Sequence, residues 1–145
     1  MPESDLLLFY AARMDHVKQL ILPSLREGKV VITDRFDLST WAFQAEPNRD
    51  LHELFQDLHK LVTRELQNVS AKGILLDVPS EAAYGRMKSL FKDLDRMEDV
   101  EKEVVKRRRG AYLSAAKTLF PTYDVIDATP DADTVFWSIW DALSK

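Results

Sequence analysis

A short apolar run, Val30-Val31-Ile32, is the feature that most constrains how this chain can fold. All three side chains are β-branched, and no polar residue interrupts them, which is typical of a strand covered on both faces in a parallel α/β sheet. Asp34 and Arg35 follow the run closely. Open α/β sheets bind ligands outside the carboxyl ends of their strands. The run therefore predicts a buried strand, Val30–Asp34, with a polar site at its end.

The residues after this predicted strand indicate the start of a short helix. Asp37, Ser39 and Thr40 are side chains that commonly cap a helix N-terminus. Arg35 would then lie beside that N-terminus, where backbone N–H groups and a guanidinium both favour a phosphate. Taken alone, Asp34 and Arg35 are explained more simply as an ion pair that joins strand to loop.

Composition restricts the class of protein. The 145 residues are 46% hydrophobic, enough for one core, so we predict a single domain over residues 1–145. With 20 basic and 24 acidic side chains, the net charge of −4 predicts no general attraction to nucleic acid or membrane. There is no cysteine, and no apolar run is long enough to span a bilayer. The first residues do not resemble a signal peptide, so we expect a cytoplasmic protein.

Two more strands are predicted by apolar runs, Gly73–Val78 and Tyr123–Ala128. His52 and His59 lie seven residues apart on one predicted helix, and we expect both to be solvated, as well as most of the basic run Lys106–Arg109. Apolar periodicity and capping residues predict the longer helices, at about residues 4–27, 50–68, 81–90, 100–119 and 131–143.

Two strings resemble one known family. The string from Asp34 to Gln44, D-R-F-D-L-S-T-W-A-F-Q, resembles the thymidylate kinase signature D-R-[YHF]-x-x-S-[TN]-x-A-[YF]-Q. The string from Leu7 to Arg13, L-L-F-Y-A-A-R, resembles the helix that binds thymine in that family. The resemblance implies a P-loop nucleoside-monophosphate-kinase-like α/β fold of three layers. Its parallel sheet would be incomplete, with about three strands flanked by helices.

The resemblance also implies a role for each matching side chain. Phe9 would stack on the thymine base, Arg13 would donate to its carbonyl oxygen, and Arg35 would bind the acceptor phosphate. Without the resemblance, Phe9 and Arg13 would be a core aromatic and a surface cation that share a helix face. Asp34 would be the nearest carboxylate to a metal ion. The further substrate-binding residues would be Ser39, Thr40, Phe43, Gln44 and Tyr112.

A lid is implied for residues 86–99. The string D-R-M-E at Asp95–Glu98 resembles the mobile lid of thymidylate kinases. Arg86, Lys92 and Arg96 would close over the transferring phosphoryl group as catalytic cations. A lid suits this chemistry because excluding water strengthens the electrostatic interactions inside. A solvated, charged turn is the alternative interpretation of this segment.

One motif of the superfamily is missing from these 145 residues. The P-loop G-x-x-x-x-G-K-[ST] holds the phosphates of ATP, but no two glycines of this chain are spaced five apart. We therefore expect an N-terminally truncated member of the family that lacks the P-loop. Two of its strands would then have unpaired inner edges, which invite pairing with another chain.

Several functions remain open. One is phosphoryl transfer from ATP to dTMP, giving dTDP for dTTP biosynthesis, with ATP and Mg²⁺ bound through a P-loop from a separate polypeptide. The alternative is a non-catalytic protein that binds a thymine nucleotide, or pairs with another kinase chain. A homodimer through the helical face of the family is also expected. A third hypothesis is that the chain is the product of a decayed or mis-started gene fragment and has no stable fold.

Overall fold

The computed structural model describes residues 1–90, 102–118 and 123–144. The chain divides into two compact units, Met1–Ser70 and Ala71–Lys145. Within the described ranges, no helix has both the length and the apolar character needed to cross a membrane.

The first unit is built from helices. Pro2 begins its first helix, where the N–H that proline lacks would have no partner in the helix. Gly28, with a φ of 75°, ends the first helical stretch in the left-handed conformation that glycine adopts freely. The α-helices are α1 (Pro2–His16), α2 (Leu22–Arg26), α3 (Asp37–Thr40) and α4 (His52–Arg64); π-helical turns cover Val17–Ile21 and Trp41–Ala45, and a 3₁₀ turn covers Arg49–Leu51.

The core of the first unit forms where α1 packs against α4. Phe55 and Val62 lie seven residues apart and are both buried, so they mark the inner face of α4. The Phe55 ring makes edge-to-face contacts with Tyr10, at 5.9 Å between ring centroids, and with Trp41, at 5.1 Å. This aromatic cluster holds the middle of α1 against the segment that follows α3.

The predicted strand Val30–Asp34 is not formed. Residues 29–33 have no regular structure, and Val30 and Ile32 are 89% and 90% exposed. A β-branched run forms a strand only where a neighbouring strand takes up its backbone hydrogen bonds and other elements cover its faces. The first unit provides no such neighbour, because all of its residues are described and none is in a strand.

The second unit holds a small parallel sheet. Strand β1 (Gly73–Asp77) pairs with strand β2 (Tyr123–Asp127), with Gly73 opposite Tyr123 and Asp77 opposite Asp127. Gly73 is required there, since a Cβ atom would meet the Tyr123 ring at 2.5 Å. The helices of this unit are α5 (Ser80–Leu90), α6 (Lys102–Thr118) and α7 (Ala132–Leu143). The predicted α/β class, a parallel sheet flanked by helices, is confirmed, and the described residues form two of its strands where about three are predicted.

Three carboxylates of the second unit make its stability sensitive to acid. A bidentate contact from Arg109, with both N–O distances at 2.7 Å, lowers the pKa of Asp77. Hydrogen bonds from Thr129 lower the pKa of Asp127, and hydrogen bonds from the first turn of α7 lower the pKa of Asp131. Because each folded-state pKa lies below its unfolded value, the stabilisation is complete above the ordinary carboxyl pKa and is lost as pH falls through the lowered values.

We therefore expect the melting temperature to decrease as the pH is lowered below about 4. The decrease should be less steep in an Asp77→Asn variant. Thermal melting followed by circular dichroism between neutral and acidic pH measures both curves. Glu103→Gln on α6 is the control, since its carboxylate is exposed and forms a helix-surface ion pair with Lys106. Parallel curves for wild type and Asp77→Asn would contradict the expectation.

Candidate functional site

A cavity of about 340 Å³ lies between the middle of α1 and the segment that follows α2. Four of the predicted site residues line it, namely Phe9, Arg13, Asp34 and Arg35. Phe9 and Arg13 reach the same cavity because residues four apart share one face of a helix. The volume falls within the range of small-molecule sites.

The Arg13 guanidinium is fixed by protein contacts on two of its nitrogens. Its Nη1 lies 2.9 Å from Asp37 Oδ1 in an ion pair that rests on charge, because the two atoms are not well aligned for a hydrogen bond. Its Nη2 donates to Thr40 Oγ1 at 2.8 Å and, at 3.4 Å, to the carbonyl oxygen of Phe36. The rings of Tyr10 and Phe36 lie 4.8 Å and 5.1 Å from the guanidinium carbon, so aromatic faces enclose the cation.

Asp37 is fully buried and lies at the centre of this arrangement. Its second oxygen, Oδ2, accepts a hydrogen bond from His59 Nδ1 at 2.7 Å. A buried carboxylate is tolerated where it is paired and hydrogen-bonded in this way. The prediction that Asp37 caps a helix is wrong, since α3 begins after Phe36 with no side-chain cap. The prediction that His59 is solvated is also wrong, because only 16% of its side chain is exposed.

Two aromatic side chains of the core, Tyr10 and Phe55, lie next to the groups that pair here. The Phe55 ring stacks on the His59 ring, with 6.0 Å between centroids and 3° between planes. Burial, with a smaller contribution from the Asp37 carboxylate, raises the pKa of the Tyr10 hydroxyl well above its usual range. The hydroxyl therefore stays neutral at any physiological pH.

Arg35 has a different environment from Arg13. Its φ of 59° places the backbone in the left-handed region. This conformation costs a residue with a side chain about 1–3 kcal/mol, and residues that adopt it are concentrated at functional sites. Its guanidinium carbon lies 5.8 Å from the centre of the Phe43 ring. Among the described residues, neither Asp34 nor Arg35 forms an ion pair, so the simpler explanation of the two as an ion pair is not supported.

The remaining predicted residues of the first unit lie close to these. Thr40 is buried and accepts from Arg13, and Ser39 precedes it on α3. Phe43 and Gln44 line a second cavity, of about 400 Å³, together with Asp5 and the N-terminal residues. Arg35 lines the first cavity and Phe43 lines the second, so their contact lies between the two.

The other predicted residues belong to the second unit or lie outside the described residues. Arg86 donates from Nη1 to the carbonyl oxygen of Ala128 at 3.0 Å and from Nη2 to that of Thr129 at 2.8 Å, beyond the carboxyl end of β2. Tyr112 is half-buried on α6. Lys92, Arg96 and most of the predicted lid, residues 86–99, lie outside the described residues. Within the described ranges, no group of three or more His, Cys, Asp or Glu side chains could hold a metal ion.

The fold and this site define a helix-rich α/β protein with a small-molecule cavity lined by aromatic rings and arginines. The family model of thymidylate kinase matches residues 1–139. The thymidylate kinase of Ruegeria pomeroyi is 35% identical over 133 residues, which are 92% of this chain and 62% of that protein. For that of Thermomicrobium roseum, the identity is 34% over 145 residues, 99% of this chain and 68% of the relative.

A third relative, the thymidylate kinase of Dinoroseobacter shibae, is 36% identical over 133 residues, which are 91% of this chain and 63% of the relative. This chain belongs to the thymidylate kinase family, as the sequence motifs predict. The chain spans 62%, 68% and 63% of the length of these three relatives.

Proposed function

We propose that this chain binds dTMP in the cavity beside α1 and holds it for phosphoryl transfer from ATP, giving dTDP. The observation that carries the proposal is that Phe9, Arg13 and Arg35 line one cavity of about 340 Å³. These are the three side chains that the family resemblance assigns to the base and the acceptor phosphate. Membership of the thymidylate kinase family supports the same substrate.

The base end of the proposed site is formed by α1. Phe9 lines the cavity and is 50% exposed, so its ring is available for stacking on a pyrimidine. A guanidinium has five N–H donors, and the contacts of Arg13 with Asp37, Thr40 and Phe36 leave donors for a carbonyl oxygen of the base. Thr40, Ser39, Phe43 and Gln44 would line the base and the sugar.

The phosphate end is formed by Arg35. Within the part of the chain that the structure describes, its guanidinium has no ion-pair partner, and it offers a planar, bidentate donor set that matches a phosphate. Asp34 also lines the cavity, and one carboxylate together with nucleotide phosphates is a usual ligand set for Mg²⁺. In the transfer, an oxygen of the dTMP phosphate bonds to the γ-phosphorus of ATP while the bond to the bridging oxygen breaks and ADP leaves.

The donor end of the reaction must hold the phosphates of ATP. The 145 residues contain no G-x-x-x-x-G-K-[ST] motif, so the ATP phosphates would be held by a P-loop from another polypeptide segment. Arg86, Lys92 and Arg96 would close over the transferring group, where cations stabilise the developing charge, and Tyr112 would contribute to the substrate site.

A coupled ADP-release assay with dTMP, ATP and Mg²⁺ tests whether this chain binds dTMP while a separate P-loop segment binds ATP. We expect no dTMP-dependent turnover from the purified chain alone, and turnover when a polypeptide carrying the P-loop segment of a relative is added. The control for the second reaction is the same segment with the P-loop lysine replaced by alanine. Turnover by the chain alone would contradict the proposal that the donor phosphates need a second segment.

A second candidate function is non-catalytic, and exposed apolar side chains on α1 favour it. The chain would bind a thymine nucleotide, or pair with an intact kinase or a second copy of itself through a helical face. Leu7 and Leu8 on α1, which are 49% and 68% exposed, support such a face. Calorimetry that detects dTMP but no ATP, together with co-purification with an intact kinase and no turnover in the mixed assay, would favour this function.

A further inference from the structure

We propose that Asp37 is a positioning residue for Arg13: held in place by His59, its buried carboxylate fixes the guanidinium that meets the base. This inference rests on the proposed function, since it assumes that the cavity beside α1 binds a thymine nucleotide. It adds two residues, Asp37 and His59, that touch no ligand in this scheme and act through Arg13.

The geometry gives the carboxylate two different partners. Oδ1 lies 2.9 Å from Nη1 of Arg13, and Oδ2 accepts from Nδ1 of His59 at 2.7 Å. An ionised carboxylate only accepts hydrogen bonds, so His59 must carry its proton on Nδ1. Because one partner holds each oxygen, the carboxylate cannot rotate toward either without losing the other. The imidazole is itself held by stacking on Phe55, which is fully buried in the core.

Burial makes this arrangement stiff. The Asp37 side chain is 0% exposed and the Arg13 side chain 12% exposed, so water cannot easily replace either partner. The Arg13 side chain has many rotamers in solution, and immobilising it at the moment of binding would weaken the affinity. Fixing the guanidinium beforehand, through Asp37 and Thr40, removes that cost and sets the direction of the remaining donors.

The inference predicts an effect on base selection. The carbonyl oxygen at position 4 of thymine accepts from a guanidinium, whereas the amino group of cytosine in that position is a donor. A well-oriented guanidinium therefore favours dTMP over dCMP, and a loosened one discriminates less. If the role of Asp37 were purely structural, its substitution would weaken the binding of all ligands of the cavity alike.

The test compares Asp37→Asn with wild type in calorimetric titrations with dTMP, dCMP and 2-deoxyribose 5-phosphate. Asn keeps the shape but removes the charge, and we expect dTMP to bind about tenfold more weakly. The preference for dTMP over dCMP should shrink, and affinity for the sugar phosphate should stay within about twofold of wild type. Asp57→Asn is the matched control, since that carboxylate is 69% exposed on α4 and forms only a surface ion pair.

His59→Leu is the second variant, measured in the same way, because it leaves the charge pair in place and keeps an apolar side chain beside Phe55. We expect this variant to bind dTMP about threefold more weakly than wild type and to bind the sugar phosphate with unchanged affinity. The positioning role would be overturned if a variant lost affinity equally for dTMP and for the sugar phosphate, or if neither variant lost affinity for dTMP. In both cases the binding of dTMP by wild type would still support the proposed function. No binding of dTMP by wild type would overturn the proposed function and the positioning role together.

Discussion

Replacing Arg35 by Gln is expected to weaken dTMP binding about 10- to 100-fold. Arg35 lines the cavity, and no ion pair occupies its guanidinium among the described residues. A charge-assisted contact to a phosphate contributes about 1.5–3 kcal/mol, and each 1.4 kcal/mol is a factor of ten in the dissociation constant. Calorimetric titration of the variant with dTMP measures the loss directly.

The control for Arg35→Gln is Arg26→Gln, which removes the same charge from an exposed position at the end of α2. We expect that variant to bind dTMP as wild type does. The loss at Arg35 should also appear with 2-deoxyribose 5-phosphate, because the phosphate and not the base is the group it meets. Equal affinities of Arg35→Gln and wild type for dTMP would remove Arg35 from the site.

The second large effect is on stability. Replacing Phe55 by Ala is expected to lower the free energy of unfolding by about 3–5 kcal/mol, because it leaves a cavity in a core where the ring is fully buried. The ring contacts Tyr10 and Trp41 edge-to-face and stacks on His59, so its loss also removes the support of the imidazole that pairs with Asp37. Denaturant unfolding followed by fluorescence measures the change.

Leu61→Ala is the control on the same helix. That side chain is 45% exposed, so we expect a loss of no more than about 1 kcal/mol. A Phe55→Ala variant that is as stable as Leu61→Ala would mean that α1 and α4 do not share the core described for the first unit. The two variants thus separate the role of the ring from that of any apolar side chain on α4.

Much of the fold is predictable because its signals are local. The longer helices follow from apolar periodicity, and α7 also from a capping residue, since Asp131 accepts from the backbone N–H groups of Asp133 and Thr134. The caps predicted for the helices at residues 4–27 and 50–68 are wrong, because α1 and α4 begin without a side-chain cap. The strands β1 and β2 follow from short apolar runs bounded by breakers. The same signal fails at Val30–Asp34, because an apolar β-branched run does not specify which strand will pair with it.

The sequence groups several residues of the candidate site but not the side chains that pair with them. The motif spacing brings Phe9, Arg13 and Arg35 to one cavity. Asp37, which pairs with Arg13, lies 24 residues further along the chain, and His59, which pairs with Asp37, lies 22 residues beyond it. No local pattern pairs them. One signal was available for His59, which lies four residues after Phe55 and therefore on the inner face of α4.

The ion pair between Arg109 and Asp77 illustrates the same limit in the second unit. Arg109 belongs to a basic run on α6, and its neighbours give no reason to distinguish it from a solvated cation. Asp77 ends β1, and the fold brings the two together although 32 residues separate them in the chain. Charge pairing of this kind depends on how helices pack on a sheet, which a periodic pattern does not define.

The most direct measurement is a titration of the chain with dTMP, observed through the ¹⁵N-labelled side chains of its arginines by nuclear magnetic resonance. We expect the Nε–H signals of Arg13 and Arg35 to shift together and to saturate at one dTMP per chain, while that of Arg26 stays in place. Binding of dTMP that leaves the Arg13 and Arg35 signals unmoved, or no binding at all, would contradict a thymine-nucleotide site beside α1.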